Sequence, residues 1–579
     1  MTSPRHLSLG TGIFLQDSPC PARLELGMGR LLSILFCSAA LLGTTSGFEA
    51  DIRPFLDQYC LKCHGGEKVK GKVDFSKFET EDDATAQYEL WETVVDVLEF
   101  QEMPPEDEPQ PTDEDLEMVL NWYGKRFTDA VEPLPGVFRP RRLSAAEYRN
   151  TLHSVLGFEL EVNIMEAEQT VTERSLVMKL LPTDPPGASG FVNDTHGAPL
   201  SIVLWDQYSY LADVALGKYV PKDCTPQQAE ELVRHFLPRA LRRPVAEPQI
   251  QEILGACADK EGKALRQALI KELKVVLMSP AFLYRGFLLE AEPGQQPVDA
   301  YELAERLSYF LWEDMPDEEL IALANNGSLT HSEVLEAQVD RMLASPKARS
   351  LAESFGVQWL GLNQIDEAAR DSNERATLKS QPIDFLNYLF TEDRPVMELI
   401  DSKVAFANYL TANYYGRDSK QLEKHIKPKG VEKQLAPNQK ITLEHTQERG
   451  GLLTVPGVLA MNKGPIIRGT WMLRTILGEH LGEPPADVPP IQPVPPGKKM
   501  TFREQFEAHR SNTSCARCHV KIDPLGFSMQ AYDEKGAFKP YAKIDTTGQL
   551  PSGETFKDFA ELKQILLTTQ REAIIRNAV

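Results

Sequence analysis

The chain has 579 residues, 42% of them hydrophobic and 25% charged, with a formal net charge of −22 at pH 7. That apolar fraction supports ordinary hydrophobic cores over several domains. The acid balance argues against nucleic acid or an anionic lipid surface as a partner.

Residues 1–47 read as an N-terminal extension and signal peptide. Met28-Gly29-Arg30 is a short basic start, Leu31 to Gly43 is apolar, and Thr44-Thr45-Ser46-Gly47 offers small residues for cleavage. The preceding stretch, with Pro19, Cys20 and Pro21, does not fit a signal sequence, which makes Met28 a candidate start. A buried N-terminal helix and an uncleaved anchor are the alternatives. No other segment approaches the length of a bilayer span.

Helix signals dominate the rest, so the expected fold class is mainly α and multi-domain. Residues 48–132 form a first domain, with a leading helix from Glu49 to Tyr59 and a closing helix that Thr112 and Asp115 begin. Residues 138–205 follow as a helical domain, where Ser144 and Glu147 make a capping box and Leu143 with Tyr148 a hydrophobic staple. In 222–290 the helix start is Thr225, Pro226 and Gln228, and in 296–430 helical patterns occupy about 298–314, 331–344 and 346–360. Residues 446–579 close the chain, ending in a helical stretch from Phe559 to Val579. Pro-rich breaks at 104–111, 133–140 and 484–496 are the candidate linkers.

Two pentapeptides carry the chemistry. Cys60-Leu61-Lys62-Cys63-His64 and Cys515-Ala516-Arg517-Cys518-His519 both have the form Cys-x-x-Cys-His, the attachment sequence of c-type haem. Two thiols add to the porphyrin vinyl groups and the adjoining histidine coordinates the iron. With 8 Cys and 11 His in the chain, chance supplies about 0.002 such matches, so two together indicate selection for haem. The alternative is a zinc site in which the two thiol pairs meet, but that leaves both histidines and the export signal without a role.

The axial ligands follow. His64 and His519 are the proximal ligands, and Met103, which follows His64 by 39 residues and precedes Pro104-Pro105, is the candidate sixth ligand of the first iron. A thioether there raises the reduction potential, and the proline pair holds an extended loop. Core packing is the alternative role for Met103. For the second iron, Met529 and His509 each lie 10 residues from His519. Met529 is too near in sequence unless an Asp523-Pro524-Leu525-Gly526 turn redirects the chain, and His509, on the other side of the motif, meets a similar geometric objection, so the sixth position is filled from a distant segment or left open.

Two further groups of residues stand out. Arg139, Arg141, Arg142 and Arg239, Arg242, Arg243 could form an anion site, but in so acidic a chain internal ion pairing between helices is the expected role. Cys224 and Cys257 remain once the haem and leader thiols are set aside. In an oxidising compartment they are expected to close a disulfide, with a pair of buried free thiols as the alternative.

The stretch from Cys60 through Met103-Pro104-Pro105 resembles the planctomycete-type cytochrome c domain. Arg141-Arg142-Leu143-Ser144-Ala145-Ala146-Glu147-Tyr148, Arg239-Ala240-Leu241-Arg242-Arg243-Pro244, Leu303-Ala304-Glu305-Arg306-Leu307-Ser308-Tyr309 and Gly464-Pro465-Ile466-Ile467-Arg468-Gly469 are similar to signatures of the modules that accompany it. The resemblance implies an exported multi-module cytochrome whose accessory domains have no assigned function. It also implies one more small helical module after the point where this sequence stops. The segment Asp523-Pro524-Leu525-Gly526-Phe527 is similar to part of the di-haem peroxidases too, but Met529-Gln530-Ala531-Tyr532 stands where Leu-Glu-Asn-Phe is usual. A glutamine in place of the acid removes a group that could move protons.

The expectation is therefore a periplasmic or otherwise exported protein, with no membrane span after signal cleavage. It carries two covalently attached haems c and passes electrons to a redox partner protein that its acid surface could help dock. A haem oxidoreductase acting on peroxide or an organic substrate is one alternative. A binding scaffold with auxiliary haems is another.

Overall fold

The structure, a computed structural model, describes residues 47–579 except 67, 100–102, 106, 129–139, 163–174, 187–189, 193–199, 287–297, 368–370, 423–436, 445–447, 480, 482–499, 510–512, 540–543 and 579. The signal-peptide expectation (apart from Gly47), Arg139 and most of the 133–140 and 484–496 breaks lie outside the described residues. The protein is mainly α-helical, as expected from its sequence, and its described β structure consists of four two-stranded antiparallel pairs and two isolated bridges. Backbone contacts divide it into two units.

The described part of the first unit comprises 47–87 and 110–122. A π-helical turn over Phe48–Ile52 runs into the Arg53–Tyr59 helix. Phe48, Ile52 and Leu56, spaced by four, are fully buried on one face. The Phe48 ring packs 5.8 Å from Trp122 on the Asp113–Tyr123 helix. Tyr59 ties the same two helices by donating to Asp115 Oδ2 at 2.9 Å. Thr112 and Asp115 cap the second helix reciprocally, as their spacing predicts.

The second unit holds three main cores. In the first, the helices Ala145–Leu156, Ile202–Tyr219, Pro226–Leu241 and Gly262–Leu277 surround Tyr148, Tyr208, Phe236, Leu269 and Phe282. The Ser144/Glu147 and Thr225/Gln228 capping boxes both form. Leu143 and Tyr148 are both fully buried. The strand pair Arg141–Arg142 with Tyr284–Arg285 joins the start of this bundle to its end. The helices Ala300–Trp312 and Ser332–Leu343 supply a second, smaller core. The third is the largest in sequence span. It runs from Ala352 on the Arg349–Trp359 helix to Ile574 and includes the Ser372–Thr391 helix.

Most of the arginine clusters work as internal ion pairs. Arg141 pairs with Glu147 at 2.6 Å, Arg142 with Asp184 and Tyr208, and Arg242 with Glu305 at 3.0 Å. Each pair joins segments distant in sequence or pins a cap. Arg239 spans to Ser154 O and Glu318.

Three expectations need correction. The Asp523-Pro524-Leu525-Gly526 stretch is not a turn: it lies inside one helix, Thr513–Ser528. The chain end is two helices, Phe559–Leu567 and Arg571–Ala578, rather than one. The first helix ends at Thr568, whose N–H donates to Ile565 O at 3.2 Å. Finally, Cys224 and Cys257 are both buried free thiols. Cys224 comes just before the Pro226–Leu241 helix and Cys257 ends the Glu247–Cys257 helix, and both pack in the apolar core as small hydrophobes.

Candidate functional site

The first site grows from the end of the Arg53–Tyr59 helix. The chain keeps winding after Tyr59: Cys60 N donates to Leu56 O at 2.9 Å and His64 N to Cys60 O at 2.9 Å. That helical turn sets the two cysteines of the pentapeptide and its histidine within one compact loop. Both thiols are part-exposed, and burial pushes the Cys60 thiol up to about 12, so the free side chain is neutral. His64 then enters a two-residue strand, His64–Gly65, paired with Lys68–Val69. The hairpin brings Lys70 O to 3.0 Å from His64 Nδ1. A carbonyl only accepts, so Nδ1 carries the proton and Nε2 is left with its lone pair. The Phe75 ring stands edge-on to the imidazole at 5.8 Å.

Met103 belongs to the second unit, in the loop after the Tyr88–Glu99 helix. Its backbone N–H donates to Val97 O at 3.1 Å, and its side chain is 41% exposed. The core-packing alternative for Met103 therefore does not hold.

The second site is built on the Thr513–Ser528 helix, which carries Cys515, Cys518 and His519. Positions 515, 518 and 519 fall on one helical face, and Asp523, one turn beyond His519, continues it. His519 Nδ1 lies 2.7 Å from Asp523 Oδ1, and Asp523 is 2% exposed. The carboxylate accepts from Nδ1–H, so here too Nε2 keeps its lone pair. Phe506, from the Phe502–His509 helix, packs its ring 5.9 Å from His519 and 6.5 Å from Phe527. Met529 is fully buried in the third core, which gives it a packing role. Gln530 is half-buried, one residue past it.

The helix runs through Pro524 and Gly526 because a neighbour holds it. The Pro465–Trp471 helix crosses it so closely that a Cβ at Gly526 would stand 2.0 Å from Pro465 O. A Cβ at Gly469 would stand 2.2 Å from Ile522 O. Glycine on both sides permits this backbone-to-backbone approach. Beside it, the guanidinium of Arg468, 1% exposed, donates to the carbonyls of Asn462, Tyr532 and Asp533 at 2.6 to 2.8 Å. Burial lowers Arg468 to about 10, still charged at neutral pH. It clamps the segment leaving the helix to the segment entering its partner.

Both sites have the donor set that haem c requires: two partly accessible thiols and an imidazole whose Nδ1 is hydrogen-bonded, which leaves the lone pair on Nε2. Cys60, Cys63 and His64 would hold one haem, and Cys515, Cys518 and His519 a second. Among the described residues no group of three or more His, Cys, Asp or Glu side chains is placed to hold a metal ion, and no helix is long and apolar enough to cross a membrane. The sequence reading singled out both pentapeptides but missed Asp523. Its signal was present: an acid four residues after a ligand histidine is one helical turn away, provided the segment is helical.

Residues 60–107 match the family described as Planctomycete cytochrome C. Residues 141–221, 228–286, 298–416 and 449–541 match four families described as proteins of unknown function, DUF1587, DUF1595, DUF1592 and DUF1588 in that order. No curated protein and no solved structure matches the chain. The second Cys-x-x-Cys-His, with its helix and the crossing Pro465–Trp471 helix, falls inside the DUF1588 match. The chain thus belongs to the planctomycete-type multi-domain cytochromes, and its N-terminal domain is one that carries covalent haem c.

Proposed function

We propose that the protein is an exported di-haem c-type cytochrome that transfers electrons between a redox partner protein and an acceptor or donor in the cell envelope. The observation that carries this reading is that the two histidines share one arrangement. Each follows a Cys-x-x-Cys pair, and each has Nδ1 tied within its own unit, His64 to Lys70 O and His519 to Asp523. Haem supplies one-electron chemistry when bound. The chain's residues anchor it, orient the proximal imidazole and, at the first site, offer Met103 as a sixth ligand that favours a higher potential. The signal-like N-terminus supports assembly outside the cytoplasm.

One observation favours a second reading, a haem oxidoreductase acting on peroxide or an organic substrate. The carboxylate behind His519 makes the ligand more electron-donating. Against it, Gln530 stands where related peroxidase segments carry an acid.

Haem content and ligand binding test the proposal. The purified holoprotein should give two haems per chain by pyridine haemochrome, and one after Cys515→Ala/Cys518→Ala. Carbon monoxide should not bind readily to the reduced protein, and peroxide should not be consumed. Prompt carbon monoxide binding with peroxide turnover would replace the carrier by the oxidoreductase. One haem in the unaltered chain would remove the di-haem reading.

A further inference from the structure

The two histidines differ in what holds them. His64 donates to a backbone carbonyl in an exposed hairpin at 3.0 Å. His519 donates to a carboxylate at 2.7 Å, and Asp523 is 2% exposed against 14% for the His519 side chain. A carbonyl offers a partial dipole, whereas a buried carboxylate offers a full charge at low dielectric and draws the Nδ1 proton further toward itself. The imidazole then gains anionic character and Nε2 becomes the more basic donor. A more basic axial ligand stabilises the oxidised iron and lowers its potential.

The geometry is fixed by the backbone rather than by a loop. His519 and Asp523 are separated by one turn of a single helix. That turn is locked by the close crossing at Gly526 and Gly469, and Phe506 packs near the imidazole. From these observations we infer that Asp523 is a positioning residue that sets the potential of the C-terminal haem below that of the N-terminal one. An electron on the C-terminal haem then has the N-terminal haem as a thermodynamically downhill acceptor. The inference rests on the di-haem reading and adds a direction to it.

Redox titration of the haem-loaded full chain, with pyridine haemochrome on the same samples, provides the test. The unaltered protein should show two one-electron waves. Cys515→Ala/Cys518→Ala should remove the lower wave and keep the higher. Asp523→Asn, which keeps the shape and a hydrogen-bond acceptor but removes the charge, should raise only the lower wave. The expected rise is at least a tenfold change in the exchange constant between the haems, or about 59 mV for one electron. Two haems with an unmoved lower wave in Asp523→Asn overturn the inference alone. Loss of the higher wave in the cysteine variant overturns it whether or not Asp523→Asn folds. One haem per unaltered chain overturns the di-haem reading and the inference with it.

Discussion

Adding one methyl group at Gly526 should separate the two helices that build the second site. The new Cβ would lie 2.0 Å from Pro465 O and 2.7 Å from Pro465 C. Both are backbone atoms, so no side chain can rotate away. Relief requires the helices to part by about 1 Å in a core packed at crystal density. Overpacking costs roughly 1–3 kcal/mol where side chains yield, and here the cost should lie at or above about 3 kcal/mol. The same ~3 kcal/mol is a protection loss on the order of 100-fold. Hydrogen exchange by mass spectrometry should show it in peptides covering 465–476 and 519–530, with little change in peptides from the Ile202–Tyr219 helix. Gly469→Ala should behave alike, its Cβ lying 2.2 Å from Ile522 O. The double variant should cost less than the sum, because one separation relieves both contacts. Gly255→Ala is the control of opposite sign. Nothing lies within 4 Å of its Cβ on the Glu247–Cys257 helix, so the change should stabilise by up to ~1 kcal/mol through helix propensity. Equal protection in Gly526→Ala and Gly255→Ala would refute the close-crossing argument.

Met103→Ala should abolish the red-edge Met–iron absorption band of the oxidised protein and lower the potential of the first haem; an unchanged spectrum removes Met103 as ligand. Peptide mapping without reductant should recover Cys224 and Cys257 as two separately alkylated peptides, since both are buried free thiols; a single linked peptide would restore the disulfide. Burial raises the Glu313 carboxyl from 4.5 to about 7. The folded chain therefore keeps this proton while the unfolded chain loses it, so this group's contribution declines as pH rises from about 4.5 and levels off above about 7. The loss is on the order of 3 kcal/mol. Glu313→Gln should recover it, seen as a denaturation midpoint that rises at pH 8 relative to the unaltered chain but not at pH 4; parallel pH profiles would exclude Glu313 as the cause.

Local sequence determined what local physics decides. A Cys-x-x-Cys-His motif states its own chemistry because covalent attachment and coordination need those atoms at that spacing. The capping boxes at Ser144 and Thr225 likewise form as written, since their partners lie three residues away. Thr568 shows a limit even at short range, where the expected terminal helix ends in a tighter turn and a second helix starts at Arg571. The Asp523-Pro524-Leu525-Gly526 stretch shows the larger one. Proline and glycine read as a turn, and with the turn assumed Asp523 had no relation to His519. Only the Pro465–Trp471 helix, some 50 residues earlier, made that stretch helical, by packing its backbone against Gly526. The candidate haem ligand His519 was therefore legible in five consecutive residues, whereas the charge behind it depended on a tertiary contact. Burial and close backbone approach between distant segments overrode the local preference.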